Sequence, residues 1–355
     1  MPEPGRSDRA RRKAACRFFI HTFGCQMNEN DSQRLAGMLR DAGHEPSPSL
    51  EESDLVVVNT CSVRAKSEEK LFSLLGRVAS WKAGRDFTLA VVGCAAQVHG
   101  DRIRSRVPEV DFVLGPDGLA LLPGLLARGA GKTVSTEQVS LWREDAPRSY
   151  RRSSPVSAFV TVMEGCDNFC AYCVVPYARG REKHRPARLV AAEAEALAGR
   201  GYKEITLLGQ NVNSYRDPES GLPLAGLLRR LSALPGVEWL RFLTSHPKNF
   251  DPDLVQALKT VPSLCRQLHL PLQSGSSRLL RLMNRGYSRE DYLDLVAALR
   301  EAVPGLDLST DIIVGFPGET EEDFQATLDV LDRVRFANLF SFRYSPRPMT
   351  AASSL

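Results

Sequence analysis

The chain has 355 residues, 43% of them hydrophobic and 25% charged, with a formal net charge of +4. That length leaves room for two or three packed domains, and the composition is that of a globular chain, which excludes collagen-like and wholly disordered classes. No apolar run approaches the roughly 18 residues that a membrane-spanning helix needs. The first residues, MPEPGRSDRARRKAA, lack the apolar stretch of a signal peptide. The expected compartment is therefore the cytoplasm, where the eight cysteines would serve as metal-bound thiolates more readily than as disulfides.

In chain order, residues 1–15 read as a basic, disordered tail with Arg6, Arg9, Arg11, Arg12 and Lys13. Residues 16–129 read as an α/β domain. Its apolar, β-branched runs RFFIHTFGC, DLVVVNTC and TLAVVGC each end at a cysteine: Cys25, Cys61 and Cys94. Helical patterns such as SQRLAGMLRDAG and SEEKLFSLLGRVASWKAG lie between them. The spacing of these cysteines fits no zinc or ferredoxin run but fits the repeat of a strand-helix-strand unit. Parallel strands present their carboxyl ends along one edge, so the three cysteines are expected to meet there. Burial as three small side chains at strand ends is the plainer alternative.

A stretch rich in Gly, Ser, Thr and Arg, residues 130–154, reads as a linker, part of which can add a strand. From 155 to 347 the pattern alternates again. Strand candidates are AFVTVMEG, EITLLGQN, WLRFLTSH, QLHLPLQ, LSTDIIVGF and NLFSFRYS. Helical segments between them include LVAAEAEALAGRG, LAGLLRRLSAL, DPDLVQALKT and DYLDLVAALREA. Ser288 with Asp291, and Thr320 with Asp323, have capping-box spacing. Phe324, Leu328 and Leu331 give a helical stripe suited to a core. Six strands are too few for a closed eight-stranded barrel. Basic residues cluster at Arg143, Arg148, Arg151 and Arg152, and again at Arg179, Arg181, Lys183, Arg185 and Arg188. Such groups suit either phosphate contact or a solvated surface.

The most specific signal is GCDNFCAYC at 165–173, which spaces Cys166, Cys170 and Cys173 with no fourth cysteine or near histidine. Structural zinc sites want four side-chain ligands, whereas three thiolates on an iron-sulfur cube leave one iron open. This run resembles the radical S-adenosylmethionine superfamily, in which the open iron chelates the methionyl group, and Tyr172 matches the aromatic favoured before the last cysteine. TFGCQMNENDS, NTCSVR and VGCAAQ resemble the amino-terminal domain of the methylthiotransferase family, in which the equivalents of Cys25, Cys61 and Cys94 hold an auxiliary 4Fe-4S cluster. CVVPYARG, LLGQNVNSY and TSHP, with Gln26 and Met27, are most similar to the MiaB-type tRNA branch.

The resemblance implies a parallel-sheet α/β domain followed by a (β/α)6 partial TIM barrel. It implies two 4Fe-4S clusters on the six cysteines and S-adenosylmethionine as cofactor. Gly209, Gln210 and Asn211, Ser245 and His246, and Gln273 and Ser274 end successive strands on the cofactor side, and Gly315 approaches the adenine. No catalytic side chain beyond the cluster ligands is implied. The implied reaction is methylthiolation at C2 of N6-isopentenyladenosine beside the tRNA anticodon. An external one-electron reductant such as flavodoxin and a sulfur donor for cluster repair are implied with it. The alternatives are a threonylcarbamoyl-adenosine tRNA, a ribosomal protein side chain, or a non-catalytic cluster-binding product. The family usually continues past YSPRPGTPA into a β-barrel TRAM domain. Here YSPRPMTAASSL, with Met349 for the usual glycine, ends at Leu355, so residues 348–355 are expected to be a shortened end without that domain.

Overall fold

The computed structural model describes residues 15–62, 65–129, 131–142, 150 and 152–355. The basic tail, Arg64 of the NTCSVR segment, and Arg143, Arg148 and Arg151 lie outside the described residues.

The first half contains strands β1 (Arg17–Phe23), β2 (Glu45–Pro46), β3 (Leu55–Thr60), β4 (Thr88–Val92), β5 (Phe112–Leu114) and β6 (Thr133–Ser135). Helices α1 (Gln26–Asp41), α2 (Ala65–Ser80), α3 (Cys94–Arg106) and α4 (Leu122–Ala127) connect them. The strands form one parallel sheet in the order β2-β1-β3-β4-β5-β6. Every residue of central β3 is buried, as expected of a parallel strand covered on both faces. Side chains alternate between those faces. Val56 and Val58 join a core with Leu71, Leu75 and Ile103 of α2 and α3, whereas Leu55 and Val57 join Leu35, Leu39, Leu122 and Leu126 of α1 and α4. Within the 130–154 linker, β6 pairs with β5 and completes the first sheet.

The second half holds β7 (Ser157–Thr161), a short antiparallel pair β8 (Met163–Glu164) and β9 (Lys183–His184), with α5 (Val175–Arg179) between its strands. Next come α6 (Ala187–Gly199), β10 (Glu204–Leu208), α7 (Leu224–Ser232), β11 (Trp239–Phe242), α8 (Pro252–Thr260) and β12 (Gln267–His269). The chain continues with α9 (Ser277–Leu282), α10 (Arg289–Ala302), β13 (Asp307–Val314), α11 (Glu321–Val334) and β14 (Asn338–Arg343). Two parallel triplets, β11-β10-β7 and β12-β13-β14, are joined by a parallel bridge between Leu240 and Leu264. The six strands thus run in sequence order around an open partial barrel.

Ser288 and Thr320 do cap α10 and α11 with their predicted acidic partners. The predicted α11 stripe is rotated. Leu328 is exposed and Phe324 and Leu331 are half-buried, while Asp323, Thr327, Val330 and Val334 are buried. The physical reason is polar packing against the β12–α9 connection. Ser276 and Arg278 both donate to the Asp323 carboxylate, and Gly275 N donates to Thr327 Oγ1 at 2.9 Å. A Cβ on Gly275 would sit 2.4 Å from Ala326 O, so the α11 backbone lies directly against this loop. Among the described residues no helix is long and apolar enough to cross a membrane.

Candidate functional site

Cys25 follows β1, Cys61 follows β3 and Cys94 follows β4. The order β2-β1-β3 makes the gap between β1 and β3 a topological switch point, where open α/β sheets leave a crevice at their carboxyl ends. Cys25 and Cys61 flank that crevice. Cys25 is also the N-cap of α1, and Cys94 opens α3 behind Gly93 at φ 89°. Both sulfurs therefore lie at helix amino ends, which favour negative charge. A buried polar knot fixes the loops: Asn28 Nδ2 donates to Asn59 Oδ1 at 3.1 Å, and Asn59 Nδ2 donates to Asn28 O and Ser32 Oγ, both at 2.8 Å. Cys25 N and Sγ each donate to Asn28 Oδ1 at 3.4 Å. Asn28 and Asn59 thus hold the cysteine loops in place.

The three thiols share one electrostatic neighbourhood. A hydrogen bond from Cys61, helped by Asn28 and the Arg179 guanidinium, brings Cys25 down to about 6, whereas burial pushes Cys94 up against the pull of Arg179.

Cys166, Cys170 and Cys173 lie on the loop between β8 and α5, above the barrel strands. Cys166 N donates to Gly180 O at 3.1 Å and Cys173 N to Cys170 O at 2.9 Å. Asn168 Nδ2 donates to Cys166 Sγ at 3.4 Å, and Arg285 Nη1 donates to Cys170 Sγ at 3.4 Å and to Tyr172 OH at 3.3 Å. Burial, then repulsion from Cys170, pushes Cys173 up to about 12. Burial also carries Cys166 up to about 11. Such thiols are held as neutral groups until a metal displaces their protons. Ala171, Leu279, Met283, Phe316 and Ala352 form a small apolar core behind the loop, with Tyr172, Ile313 and Tyr344 against it.

The strand-end residues separate into two groups. Gln210 Oε1 accepts from Gly165 N at 2.5 Å, directly beside the cysteine loop. Met163 Sδ accepts from Gln210 N and Asn211 N at 3.2 and 3.4 Å. Asn211 Nδ2 donates to Glu182 Oε1 and Asn249 Oδ1, but its Oδ1 is buried without a partner. His246 stacks edge-on to Tyr287, accepts from Lys248 N through Nδ1, and keeps a buried Nε2 without a partner. Burial, with Arg285 and Lys248 nearby, brings His246 down to about 2, so the ring is neutral. Two buried polar atoms beside the cysteine loop thus fit a polar ligand there.

The second group is occupied internally. Ser245 Oγ donates to His269 O, and Ser274 Oγ accepts from Ser276 N and contacts Thr327 Oγ1. A Cβ on Gly209 would strike Met163 Cγ and Sδ at 2.6 Å. Gly209 therefore serves the close approach of β8. Gln273 adopts φ 73° and pairs with Asp311 and Ile313 through its backbone. Gly315, exposed at φ 71°, meets the conformational requirement for glycine, and a Cβ there would meet nothing within 4 Å.

The basic group after the loop does not present one phosphate-binding face. Arg179, Lys183 and Arg185 are buried. Lys183 Nζ meets Asp117 at 2.5 Å and Glu164 at 3.6 Å, and Arg185 meets Glu193. Arg181 and Arg188 are exposed but pair with Asp167 and Glu219. Arg152 is buried over the Tyr150 ring and pairs with Glu193. Buried cations require partners; Arg179 and Lys183 find theirs in Asp31 and Asp117 of the first half, whereas Arg152 and Arg185 share Glu193 of the second. The sequence reading missed Arg285, Met163 and Glu182. Their only sequence signal is proximity to Gly residues or to the cysteine loop.

Among the described residues no three His, Cys, Asp or Glu side chains surround a single ion position. A structural zinc site would need four ligands about one ion. Six free thiols in two sets of three are a donor set suited to iron-sulfur clusters with one open iron. The partial barrel and its three-cysteine loop define a protein of the radical S-adenosylmethionine class. Residues 160–331 match the Radical SAM superfamily, and residues 17–115 match the Uncharacterized protein family UPF0004.

The chain is 49% identical over 345 residues to the tRNA-2-methylthio-N(6)-dimethylallyladenosine synthase of Geobacter metallireducens, covering 95% of this chain and 77% of the relative. It is 47% identical over 351 residues to the synthase of the same name from Moorella thermoacetica, covering 97% and 79%. The chain belongs to the family of tRNA-2-methylthio-N(6)-dimethylallyladenosine synthases. The radical S-adenosylmethionine methyltransferase TsrM from Kitasatospora setae shares the fold, with a TM-score of 0.67 at 18% identity over 95% of this chain and 74% of that one.

Proposed function

We propose that this chain is a radical S-adenosylmethionine methylthiotransferase that places sulfur and a methyl group on C2 of N6-isopentenyladenosine beside the tRNA anticodon. The observation that carries the reading is the pairing of two three-thiol sites in a chain about half identical to synthases of that name. Cys166, Cys170 and Cys173 hold one 4Fe-4S cluster, and Cys25, Cys61 and Cys94 hold the other. When bound, the clusters and S-adenosylmethionine supply the electron, the hydrogen-abstracting group, the sulfur and the methyl.

The chain's own residues bind, orient and exclude water. The Asn211 carbonyl and the neutral His246 ring offer polar atoms to the methionyl end of the cofactor, and Gln210 fixes the start of the cysteine loop through Gly165. Tyr172 and Phe316 line the loop's apolar back, and the exposed Gly315 segment, whose N–H donates to Glu319, is offered to the adenine. Residues 16–129 act as the auxiliary-cluster unit, 130–154 connect, 155–347 carry the radical chemistry, and 348–355 close against the cysteine loop. An external one-electron donor such as flavodoxin, and a sulfur donor that restores the auxiliary cluster, complete the partners. The test is anaerobic reconstitution with isopentenylated tRNA and the cofactor, followed by nucleoside analysis. The 2-methylthio nucleoside is expected. Turnover of the cofactor with unmodified tRNA, in the presence of reductant, would refute the substrate assignment.

A further inference from the structure

Arg179 belongs to the segment that follows the Cys166–Cys173 loop, yet its side chain ends in the other half of the molecule. Its guanidinium is buried, Nη2 donates to Asp31 Oδ2 at 2.6 Å, and Nε donates to Cys94 Sγ at 3.2 Å. The remaining nitrogen, Nη1, is buried without a partner. On the barrel side, Arg285 donates to Cys170 Sγ, but its other partners are Tyr172, Tyr287 and the Pro271 carbonyl, with no carboxylate among them. The two thiol sets are therefore served by differently balanced cations, and only the one at Cys94 is offset by an acid.

We infer that Arg179 is a positioning residue that fixes Cys94 from across the domain boundary and sets the reduction potential of the cluster held there. The inference rests on the proposed assignment of that cluster. A cationic donor on a ligating sulfur withdraws electron density and favours the reduced form, and the Asp31 carboxylate moderates that pull. The unpartnered Nη1 gives a second donor for an acceptor seated among the thiols. Because Arg179 lies six residues beyond Cys173 in the chain, the same side chain ties the spacing of the two centres to the conformation of the radical loop.

The test is an anaerobic redox titration of the reconstituted full chain, followed by electron paramagnetic resonance, for the parent, Arg179→Met, Arg179→Lys and Asp31→Asn. Arg179→Met is expected to move the Cys25, Cys61 and Cys94 cluster to a more negative potential, and Asp31→Asn to a more positive one. Arg179→Lys should lie between Met and the parent, with the other cluster unmoved in all three. If Arg179→Met fails to assemble the cluster, the sign of the Asp31→Asn shift decides, since that variant keeps the donor. Unchanged potentials with both clusters present, even alongside lower thermal stability, would overturn the inference and leave a merely structural arginine. Failure of the underlying assignment is read separately: a Cys166→Ala, Cys170→Ala, Cys173→Ala protein that binds no iron refutes it whatever Arg179 does.

Discussion

Gly93→Ala places one methyl group at the hinge of the auxiliary thiol site. Gly93 has φ 89°, and a Cβ there would lie 2.3 Å from Asn59 Oδ1, 3.1 Å from Thr60 O and 3.3 Å from Asn28 Nδ2. Gly43, at φ 88° with nothing within 4 Å of a Cβ, gives the control. Both alanines carry a positive-φ backbone cost, about 1 kcal/mol at Gly43 and about 1–3 kcal/mol at Gly93, whose ψ of −160° lies in a region essentially reserved for glycine. Only Gly93→Ala must also displace the Asn28–Asn59 pair, whose three buried hydrogen bonds cannot be remade by water. Leaving two or three such groups unsatisfied adds about 2–5 kcal/mol. Urea unfolding of the two variants beside the parent measures the difference directly. Gly93→Ala should also lose iron at the Cys25, Cys61 and Cys94 set. Equal destabilisation by the two alanines would refute the argument that the amide pair braces this site.

Cys170→Ala is expected to abolish 5′-deoxyadenosine formation, whereas Cys61→Ala should retain it and stop sulfur insertion; chromatography of both products from one incubation separates the two roles. Met349 sits at φ 67° and is half exposed, so Met349→Gly should stabilise the chain by about 0.5–1 kcal/mol by relieving left-handed strain. A lowered thermal midpoint would count against this. The Asp323 carboxyl is held well below the usual range, chiefly by Arg278 and then by Ser276 and Thr320. A depressed carboxyl stabilises above its unfolded value of about 3.9 and loses that contribution as pH falls toward the folded one. Between pH 7 and pH 3 the parent should therefore lose more stability than Asp323→Asn; parallel losses would remove Asp323 from the account.

Periodicity made most of the architecture legible. The six barrel strands and the three cysteine-ending strands were readable because buried parallel strands are long apolar runs ended by turn residues. β5 and β6, at three residues each, are too short to give a period. The α11 face was misread because Asp323 and Thr327 are buried through polar partners on a distant loop, which hydrophobic counting scores as exposure. The same blindness affected Arg179 and Lys183, whose partners Asp31 and Asp117 lie 148 and 66 residues away in sequence. The six cysteines stood out by spacing and flanking residues. The division of the strand-end polar residues, with Ser245 and Ser274 held by the backbone and neighbouring side chains while Asn211 and His246 keep unpartnered atoms, depends on packing that no local pattern encodes.

The central claim is that six thiols form two separate iron-sulfur sites, each with one open iron. Metal and acid-labile sulfide analysis of anaerobically reconstituted protein, with Mössbauer spectra of the same samples, tests it most directly. The parent should carry about eight irons per chain, and about four should remain after alanine replaces either Cys25, Cys61 and Cys94 or Cys166, Cys170 and Cys173. Zinc in place of iron, or the parent's full iron content in either triple variant, would contradict the account.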